Sequence, residues 1–330
     1  MDASMLKNRL DASNYIYDDS LITTLLVALK LGRPLLIEGA AGVGKTEIAK
    51  VMASALDRDL VRLQCYEGLD ESKALYEWNY QKQLLSIQVN MNHSSPDELT
   101  SSLFSDSYLL ERPLLRSIRS EEPVVLLIDE IDKADEEFEA FLLELLAEMQ
   151  VTIPEIGSIR AKTTPFVVLT SNRTRPLSEA LRRRCAYLYL QYPSVEKEVA
   201  IIRAKIPHVN EHLAVQVAQA VHDLRENDAI MKKPSIAETL DWVSALEALG
   251  VSELTGEAAE QTRGFVLKNS EDFSHLPQIG HHTCAHHHAH GHSCGGHGHE
   301  HTCACGNAAE NEAEDEADRI ARAQQLTEGH

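Results

Sequence analysis

The sequence predicts an α/β fold: a parallel central sheet with helices on both faces, then a small all-α domain and a low-complexity tail. Apolar runs of strand length alternate with helical periodicity up to residue 190, as in a buried parallel sheet. Helical periodicity alone then continues to residue 268, and from Asn269 the composition becomes repetitive. We therefore expect three parts, at 1–192, 193–268 and 269–330, which suits a chain of 330 residues.

The composition narrows the classes of function. Asp and Glu number 51 against 31 Lys and Arg, which gives a net charge of −20. Such a surface repels phosphate backbones, so we do not expect a nucleic-acid motor unless a local basic patch exists. The amino-terminal residues contain no apolar signal segment, and no apolar run approaches membrane-spanning length. We expect a cytoplasmic protein without a membrane segment.

The first elements lead up to a glycine-rich loop. Residues 1–18 are mixed and polar, whereas apolar residues recur at helical spacing over Asp19–Leu31. Gly32-Arg33-Pro34 ends this helix, and Leu35-Leu36-Ile37 opens a strand. After the loop and the helix that follows it, the pattern of Leu60–Cys65 indicates a second strand.

The loop itself, Gly39–Thr46, has the sequence G-A-A-G-V-G-K-T and fits the pattern of a phosphate-binding loop. Its glycines let backbone N–H groups turn inward around β- and γ-phosphates, and the following helix adds the positive end of its dipole. Lys45 would neutralise phosphate oxygens, and the Thr46 hydroxyl would hold Mg²⁺. We predict a P-loop NTPase that binds a nucleoside triphosphate and Mg²⁺. The predicted nucleotide contacts are Gly39, Ala40, Ala41, Gly42, Val43, Gly44, Lys45, Thr46 and Glu47.

Residues 66–112 have the least regular pattern of this domain. Tyr76, Trp78 and Tyr80 alternate like a short strand, and the polar run Asn90–Pro96 predicts an exposed loop. We interpret the region as an insertion into the core domain. Two roles remain open for it, a lever or pore element and an ordinary surface elaboration.

A second functional signal follows the apolar run Val124–Ile128, which predicts a buried central strand. Asp129 and Glu130 come directly after it, at the edge where open α/β sheets place their ligands. With a phosphate-binding loop upstream, Asp129 is the predicted Mg²⁺-side carboxylate, and Glu130 is the predicted general base that polarises water. The alternative is a pair of acids at the solvent-exposed end of a strand.

Further elements extend this polar edge. A helix is predicted over Phe138–Met149, and the segments around Gly157, at about 151–161, predict a β-hairpin. Phe166–Ser171 predicts another buried strand, and Asn172 follows it. The Asn172 amide is a candidate to hold the attacking water, and capping of the next turn is the alternative role.

Three consecutive arginines, Arg182–Arg184, precede the last predicted strand, Tyr187–Leu190. Side chains of three consecutive residues project from a helix in different directions. We therefore expect at least one of these arginines to face a neighbouring subunit, where it reaches a γ-phosphate in trans. A solvated basic helix end is an equal alternative. The second domain has helical patterns over Val195–Lys205, 214–224, Ile236–Leu249 and Thr262–Lys268.

The tail is rich in histidine and cysteine, whose imidazole and thiolate groups suit Zn²⁺, Ni²⁺, Co²⁺ and copper ions. H-x-H repeats dominate and no C-x₂-C pair occurs, which favours several exchangeable ions over one closed zinc site. A structural zinc site and a metal-free linker are the alternatives. The tail ends in an acidic block, for which a marginal solvated helix and disorder are the alternatives, and we expect the tail as a whole to be disordered. The candidate metal ligands are His281, His282, Cys284, His286, His287, His288, His290, His292, Cys294, His297, His299, His301, Cys303 and Cys305.

Over residues 14–268 the order of these parts resembles an AAA+ ATPase of the MoxR branch. The resemblance rests on Gly39–Thr46 (Walker A), Val124–Glu130 (Walker B) and Thr170–Asn172 (sensor 1). Segments similar to the CoxD-like subgroup are Cys65–Asp70, Tyr76–Tyr80, Leu110–Leu115 and Lys233–Thr239. That subgroup is associated with maturing the active site of carbon monoxide dehydrogenase and related molybdenum hydroxylases.

The resemblance implies a homo-hexamer with ATP at the subunit interfaces and a partner that carries a von Willebrand factor A domain. It implies that Arg184 is the arginine finger, with Arg183 as the next candidate, although Cys185 stands where the family has an aromatic residue. It also implies that Tyr15 and Ile16 line the adenine pocket. The tail lies outside the region of resemblance.

One departure concerns the helix that carries the sensor 2 arginine in many AAA+ proteins. The corresponding segment here, Lys232–Ile236, contains no arginine. Lys232 or Lys233 would act there as a point charge, with less directional hydrogen bonding than arginine.

Together these observations predict an ATP-hydrolysing remodelling chaperone for a metallo-enzyme client, with a tail that concentrates metal near that client. The alternative is a metal-storage or metal-sensing protein whose ATPase is regulatory. A nucleic-acid motor is a third class, which the acidic balance disfavours.

Overall fold

The computed structural model describes residues 1–90 and 103–276. The strands are β1 Leu35–Gly39, β2 Leu60–Gln64, β3 Tyr76–Trp78, β4 Leu109–Glu111, β5 Val125–Asp129, β6 Gln150–Ile153, β7 Gly157–Arg160, β8 Phe166–Ser171 and β9 Ala186–Leu190. The α-helices are α1 Ala3–Ala12, α2 Asp19–Leu31, α3 Lys45–Leu56, α4 Glu71–Leu75, α5 Tyr80–Asn90, α6 Pro113–Arg119, α7 Glu136–Glu148, α8 Glu179–Arg184, α9 Val195–Lys205, α10 Glu211–Glu226, α11 Ile236–Ala248 and α12 Gly256–Val266.

Five strands form one parallel sheet in the order β2-β5-β8-β1-β9. Their central positions are buried on both faces, which explains the continuous apolar runs in the sequence. This confirms the predicted P-loop NTPase fold. Because β5, β8 and β1 are neighbours and parallel, their carboxyl ends lie side by side, and the polar residues that follow them meet at one edge.

Side chains alternate across the sheet into two cores. On β1, Leu36 packs into one cluster, whereas Leu35 and Ile37 pack into the other. The first cluster contains apolar residues of α4, α6, α7 and α8, and the second contains those of α1, α2 and α3. Helices therefore cover both faces, as the sequence predicts.

The amino-terminal residues contain a helix that the sequence pattern does not reveal. Residues 1–18 look mixed and polar, but α1 spans Ala3–Ala12 and buries Leu6 and Leu10 against the α2–α3 side of the sheet. The Asp2 side chain caps this helix by accepting a hydrogen bond from the Met5 amide. Two apolar residues at i and i+4 make a stripe too narrow to stand out in a polar sequence.

The insertion at 66–112 contains a two-stranded antiparallel ladder of β3 and β4. The predicted alternation ends at Trp78, because Tyr80 is the first residue of helix α5 and not a strand residue. The Asn79 side chain accepts a hydrogen bond from the Lys82 amide, which starts the helix at this point. Most of the predicted Asn90–Pro96 loop lies outside the described residues.

The hairpin predicted around Gly157 is present, since β6 and β7 pair in antiparallel register. Gly157 has a φ of +98°, a backbone conformation that side chains disfavour. The predicted helix before it ends one residue earlier than expected, because Met149 adopts a left-handed conformation and serves as the C-cap.

Helices α9–α12 form a separate apolar core, which we call the lid. Trp242 is fully buried there, and its Nε1 donates to the Thr262 hydroxyl at 2.7 Å. The lid extends further than the predicted boundary at 268. A 3₁₀ turn over Ser270–His275 follows, and the Asp272 carboxylate accepts hydrogen bonds from the Met231 and Lys232 amides. Residues 270–275 thus contact the lid, beyond the predicted boundary at 268.

Within residues 1–90 and 103–276, none of the helices combines the length and the apolarity needed to cross a membrane. The same part of the chain contains no group of three or more His, Cys, Asp or Glu side chains placed to hold a metal ion. The candidate ligands His281 to Cys305 lie outside the described residues.

Candidate functional site

The phosphate-binding loop connects β1 to α3, and its backbone depends on two glycines. Gly42 has a φ of +75°, and Gly44, the N-cap of α3, has a φ of +94°. A Cβ at Gly39 would lie 2.4 Å from the Leu190 carbonyl oxygen, so this position also requires glycine. The loop thus has the conformation that its sequence predicts.

The Lys45 ammonium lies inside this loop. The residue is 6% exposed, and its Nζ donates to the carbonyl oxygens of Gly39 at 2.9 Å and Ala40 at 2.7 Å. Burial lowers the pKa of Lys45, while the nearby carboxylates of Asp132 and Asp129 act in the opposite direction. A buried ammonium whose hydrogen bonds go to carbonyl oxygens of its own loop fits a polyphosphate ligand, which would supply the missing negative charge.

Asp129, at the end of β5, is 3% exposed and accepts three side-chain hydrogen bonds. Its Oδ1 accepts from the Thr46 hydroxyl at 3.0 Å and from the Thr170 hydroxyl at 2.6 Å. Its Oδ2 accepts from Arg62 Nη2 at 2.5 Å. A hydroxyl beside a buried carboxylate is a donor set that suits Mg²⁺, and in this structure the Arg62 guanidinium supplies the positive charge next to Asp129.

Glu130, the next residue, has a left-handed backbone with a φ of +56°. Its amide donates to the Thr170 hydroxyl at 2.9 Å, which holds this unfavourable conformation. Its Oε1 accepts from Asn172 Nδ2 at 3.2 Å, and its Oε2 accepts from Gln64 Nε2 at 2.9 Å and contacts Lys133 Nζ at 2.6 Å. The candidate base is thus fixed by donors on the ends of β2 and β8 and on its own turn.

Asn172 lies at the end of β8, and its side chain contacts Glu130. The main-chain N–H of Asn172 donates to Asp132 Oδ1 at 3.1 Å, and Asp132 also accepts from the Thr174 hydroxyl at 2.6 Å. Burial alone would raise the pKa of Asp132, but hydrogen bonds from Thr174 and Asn172 outweigh burial and lower it. Asp132 therefore ties the turn after β5 to the loop after β8 and sets the distance between Glu130 and Asn172.

A cavity of about 840 Å³ opens beside the phosphate-binding loop, which is a common size for a small-molecule site. Tyr15 and Ile16 line it, as does the loop from Ala41 to Glu47. The lid closes the other side with Lys197, Ile201, Lys205, Ile236, Ala237 and Leu240. Most of the predicted nucleotide contacts therefore line one cavity, and Gly39 and Ala40 lie beside it as the acceptors of Lys45.

The lid touches the phosphate-binding loop directly. The Ile236 amide donates to the Gly42 carbonyl at 3.2 Å, and a Cβ on Gly42 would lie 2.2 Å from Ser235 Cβ. Lys232 and Lys233 do not line the cavity and pair instead with the lid acids Glu238 and Asp228. This placement does not support the expectation that one of these lysines replaces the sensor 2 arginine as a point charge at the nucleotide.

The three arginines of α8 lie apart from this cavity, and none of them lines it. Arg183 pairs with Glu179, and Arg182 lies 3.6 Å from Glu38. Arg184 is exposed and makes no polar side-chain contact within the described residues. Cys185, which follows it, packs in the core, and burial raises the pKa of its thiol to about 12.

Residues 34–185 match the family model described as an AAA domain of the dynein-related subfamily. The uncharacterised protein YehL of Escherichia coli is 25% identical over 264 residues, which cover 74% of this chain and 67% of YehL. Midasin of Giardia intestinalis is 25% identical over 279 residues, which cover 76% of this chain but 5% of midasin. Among solved structures, the Thermotoga maritima RuvB Holliday junction branch migration motor is 18% identical, with coverage of 76% of this chain and 69% of that chain and a TM-score of 0.45.

The site contains residues that sequence reasoning missed. Arg62 and Gln64 lie on β2 and contact Asp129 and Glu130, respectively, and Thr170 on β8 bonds to both. A signal existed for the first two, because they are polar residues two positions apart at the end of a strand. Their importance depends on the pairing of β2 with β5, which places Gln64 opposite Asp129.

Proposed function

We propose that the chain hydrolyses ATP. The observation that carries this proposal is the convergence of three strand ends at the phosphate-binding loop, where Thr46 contacts Asp129 and Asn172 contacts Glu130. AAA domains are a family of ATPases, and the chain supplies each type of side chain that the reaction needs.

The residues have distinct roles in this proposal. The amides of the phosphate-binding loop and Lys45 bind the phosphates, and the Thr46 hydroxyl and Asp129 carboxylate hold Mg²⁺, which neutralises the charge of the phosphate oxygens. Glu130 accepts a proton from the attacking water, and Asn172 orients it. Tyr15 and Ile16, which line the same cavity, contact the adenine.

Two variants test these roles. Lys45→Ala is expected to abolish ATP binding, whereas Glu130→Gln is expected to bind ATP and to lose about 10²–10⁴-fold in turnover, because the amide cannot accept the proton. Glu137→Gln is a matched control, since this carboxylate is exposed on α7 and does not line the cavity. Binding of a fluorescent ATP analogue and release of phosphate measure the two effects. Normal turnover in Glu130→Gln would refute the assignment of the base.

We further propose that the ATPase is a MoxR-type remodelling chaperone that works as a homo-hexamer. The order of its motifs and the CoxD-like segments support this proposal. Arg184 is the proposed arginine finger, with Arg183 as the next candidate, and its exposure apart from its own cavity suits action in trans. Sedimentation of Glu130→Gln with ATP should give a species about six times the 36.7 kDa chain, and a persistent monomer would contradict it.

The proposed client is a molybdenum hydroxylase or a related metallo-enzyme, reached through a partner with a von Willebrand factor A domain. Glu130→Gln in the presence of ATP serves as a trap in extract of the source organism. Mass spectrometry should identify a hydroxylase subunit or an A-domain protein that the trap retains and the Lys45→Ala variant does not. Recovery of neither would count against the maturation role.

The histidine-cysteine tail supports a second candidate function, metal storage or sensing with a regulatory ATPase. Fourteen His and Cys side chains lie from His281 to Cys305, and imidazole and thiolate are ligand types that suit Ni²⁺, Zn²⁺ or copper. Deletion of 281–305 separates the two functions. A maturation chaperone should keep its ATPase rate and lose client metallation, whereas a metal sensor should lose a metal-dependent change in that rate.

A further inference from the structure

Helix α9 is the lid element that faces the nucleotide cavity along its length. Lys197, Ile201 and Lys205 line the cavity, and their spacing of four residues places them on one face of the helix. Lys197 and Lys205 are the lid cations in this lining, because the other basic lining residues, Lys45 and Lys50, belong to α3.

Both lysines form ion pairs with acids that lie outside the lid, in the part of the chain before it. Lys197 Nζ lies 2.5 Å from Asp18 Oδ2, and Lys205 Nζ lies 3.4 Å from Glu47 Oε1. Glu47 follows Thr46 directly in the first turn of α3, so Lys205 ends next to the phosphate-binding loop. These are the two ion pairs between α9 and the core in the described part of the chain.

The two pairs differ in how readily the lysine can change its partner. Lys197 is 29% exposed and closely bonded, whereas Lys205 is 43% exposed and more distant from its acid. Glu47 also has a second cation, since Lys50 Nζ lies 3.5 Å from its other carboxylate oxygen. Departure of Lys205 therefore leaves Glu47 paired, and a solvent-exposed pair of this kind contributes little stability to be lost.

We propose that Lys205 is a nucleotide-binding residue, whose ammonium exchanges Glu47 for a phosphate oxygen of the bound nucleotide and so couples lid position to occupancy. This rests on the proposed function, in which the cavity binds ATP. A triphosphate carries more negative charge than one carboxylate, so the exchange favours the nucleotide. The exchange also gives the lid a contact to phosphate. Lys232 and Lys233 do not provide one, because neither of them lines the cavity.

Equilibrium binding of a fluorescent ATP analogue with Mg²⁺ tests this proposal without measuring turnover. Lys205→Ala should weaken binding about tenfold, as expected for loss of one charge-assisted hydrogen bond. Lys205→Arg should stay within about threefold of wild type, because it keeps the charge. Lys233→Ala is the matched control, a lid lysine of similar exposure outside the cavity, and should bind like wild type. The dependence of affinity on salt should also decrease in Lys205→Ala.

Glu47→Gln distinguishes two roles for Lys205, a contact to the nucleotide phosphate and an ion pair that only holds the lid in place. If Lys205 exchanges partners, removal of the competing carboxylate charge should tighten ATP binding a few-fold. If the ion pair only holds the lid, Glu47→Gln should weaken binding as much as Lys205→Ala does, which would overturn the proposal. Wild-type affinity in Lys205→Ala would also overturn it. A wild-type protein that binds ATP but does not hydrolyse it would refute the proposed function alone.

Discussion

The lid contains a buried ion pair whose removal should destabilise it strongly. Arg225 on α10 and Glu198 on α9 have side chains 3% and 1% exposed. They form two hydrogen bonds, Nη1 to Oε2 at 2.5 Å and Nη2 to Oε1 at 2.9 Å. The Thr239 hydroxyl donates to Glu198 at 2.8 Å, and Arg225 Nε donates to the Pro234 carbonyl at 2.8 Å. The pair thus joins α9, α10 and the start of α11.

The expected cost follows from what each substitution leaves behind. Glu198→Ala leaves the Arg225 guanidinium buried without its counter-charge, which should lower the free energy of unfolding of the lid by about 3–5 kcal/mol. The double variant Glu198→Leu with Arg225→Met removes both charges and keeps most of the apolar volume. It should lose much less, because no buried charge remains. The difference between the two variants therefore combines the uncompensated charge with the loss of packing at residue 198.

Urea unfolding followed by Trp242 fluorescence measures this effect. The chain has two tryptophans, so the measurement uses a Trp78→Phe background, in which Trp242 reports on the lid alone. Because Pro234 precedes the segment that contacts Gly42, Glu198→Ala should also weaken ATP binding. A loss below about 1 kcal/mol in Glu198→Ala, or an equal loss in the double variant, would refute the reasoning.

Two further predictions concern the loop and the buried thiols. Gly42→Ala should weaken ATP binding, because its Cβ would overlap Ser235 Cβ and its φ of +75° disfavours a side chain. Ser235→Gly in the same chain should restore part of the affinity, and no restoration would contradict the clash. Burial raises the pKa of Cys65 and Cys185 from 9.0 to about 12, so their thiolate fractions at pH 8 should fall about 10³-fold. Peptide mapping after iodoacetamide treatment should find both alkylated in urea and unmodified in the native protein, and rapid native alkylation would refute this.

The central sheet and the phosphate-binding loop were predictable because their signals are local. Strands buried on both faces appear as continuous apolar runs, and β5 and β8 each end in polar residues. The spacing in Gly39–Thr46 is dictated by how backbone amides surround phosphate, whatever the rest of the fold. These features needed no knowledge of which strands are neighbours.

Other features depend on tertiary contacts that a single sequence does not display. Helix α1 has two core residues in a polar sequence, and it is stable because Leu6 and Leu10 pack in the cluster formed with α2 and α3. The turn at Ser270–His275 belongs to the lid because Asp272 satisfies two amides 40 residues earlier in the chain. In both cases the pattern within the segment is too weak to predict its structure.

The contacts of Glu130 show the same limit within the site itself. Arg62 and Gln64 alternate with buried residues on β2, a pattern typical of a strand with one solvated face. In the fold, parallel pairing with β5 places these side chains beside Asp129 and Glu130, where they satisfy the two carboxylates most important for the proposed reaction. The sequence therefore identifies the acids, whereas the donors that hold them are identified only by the strand order β2-β5-β8-β1-β9.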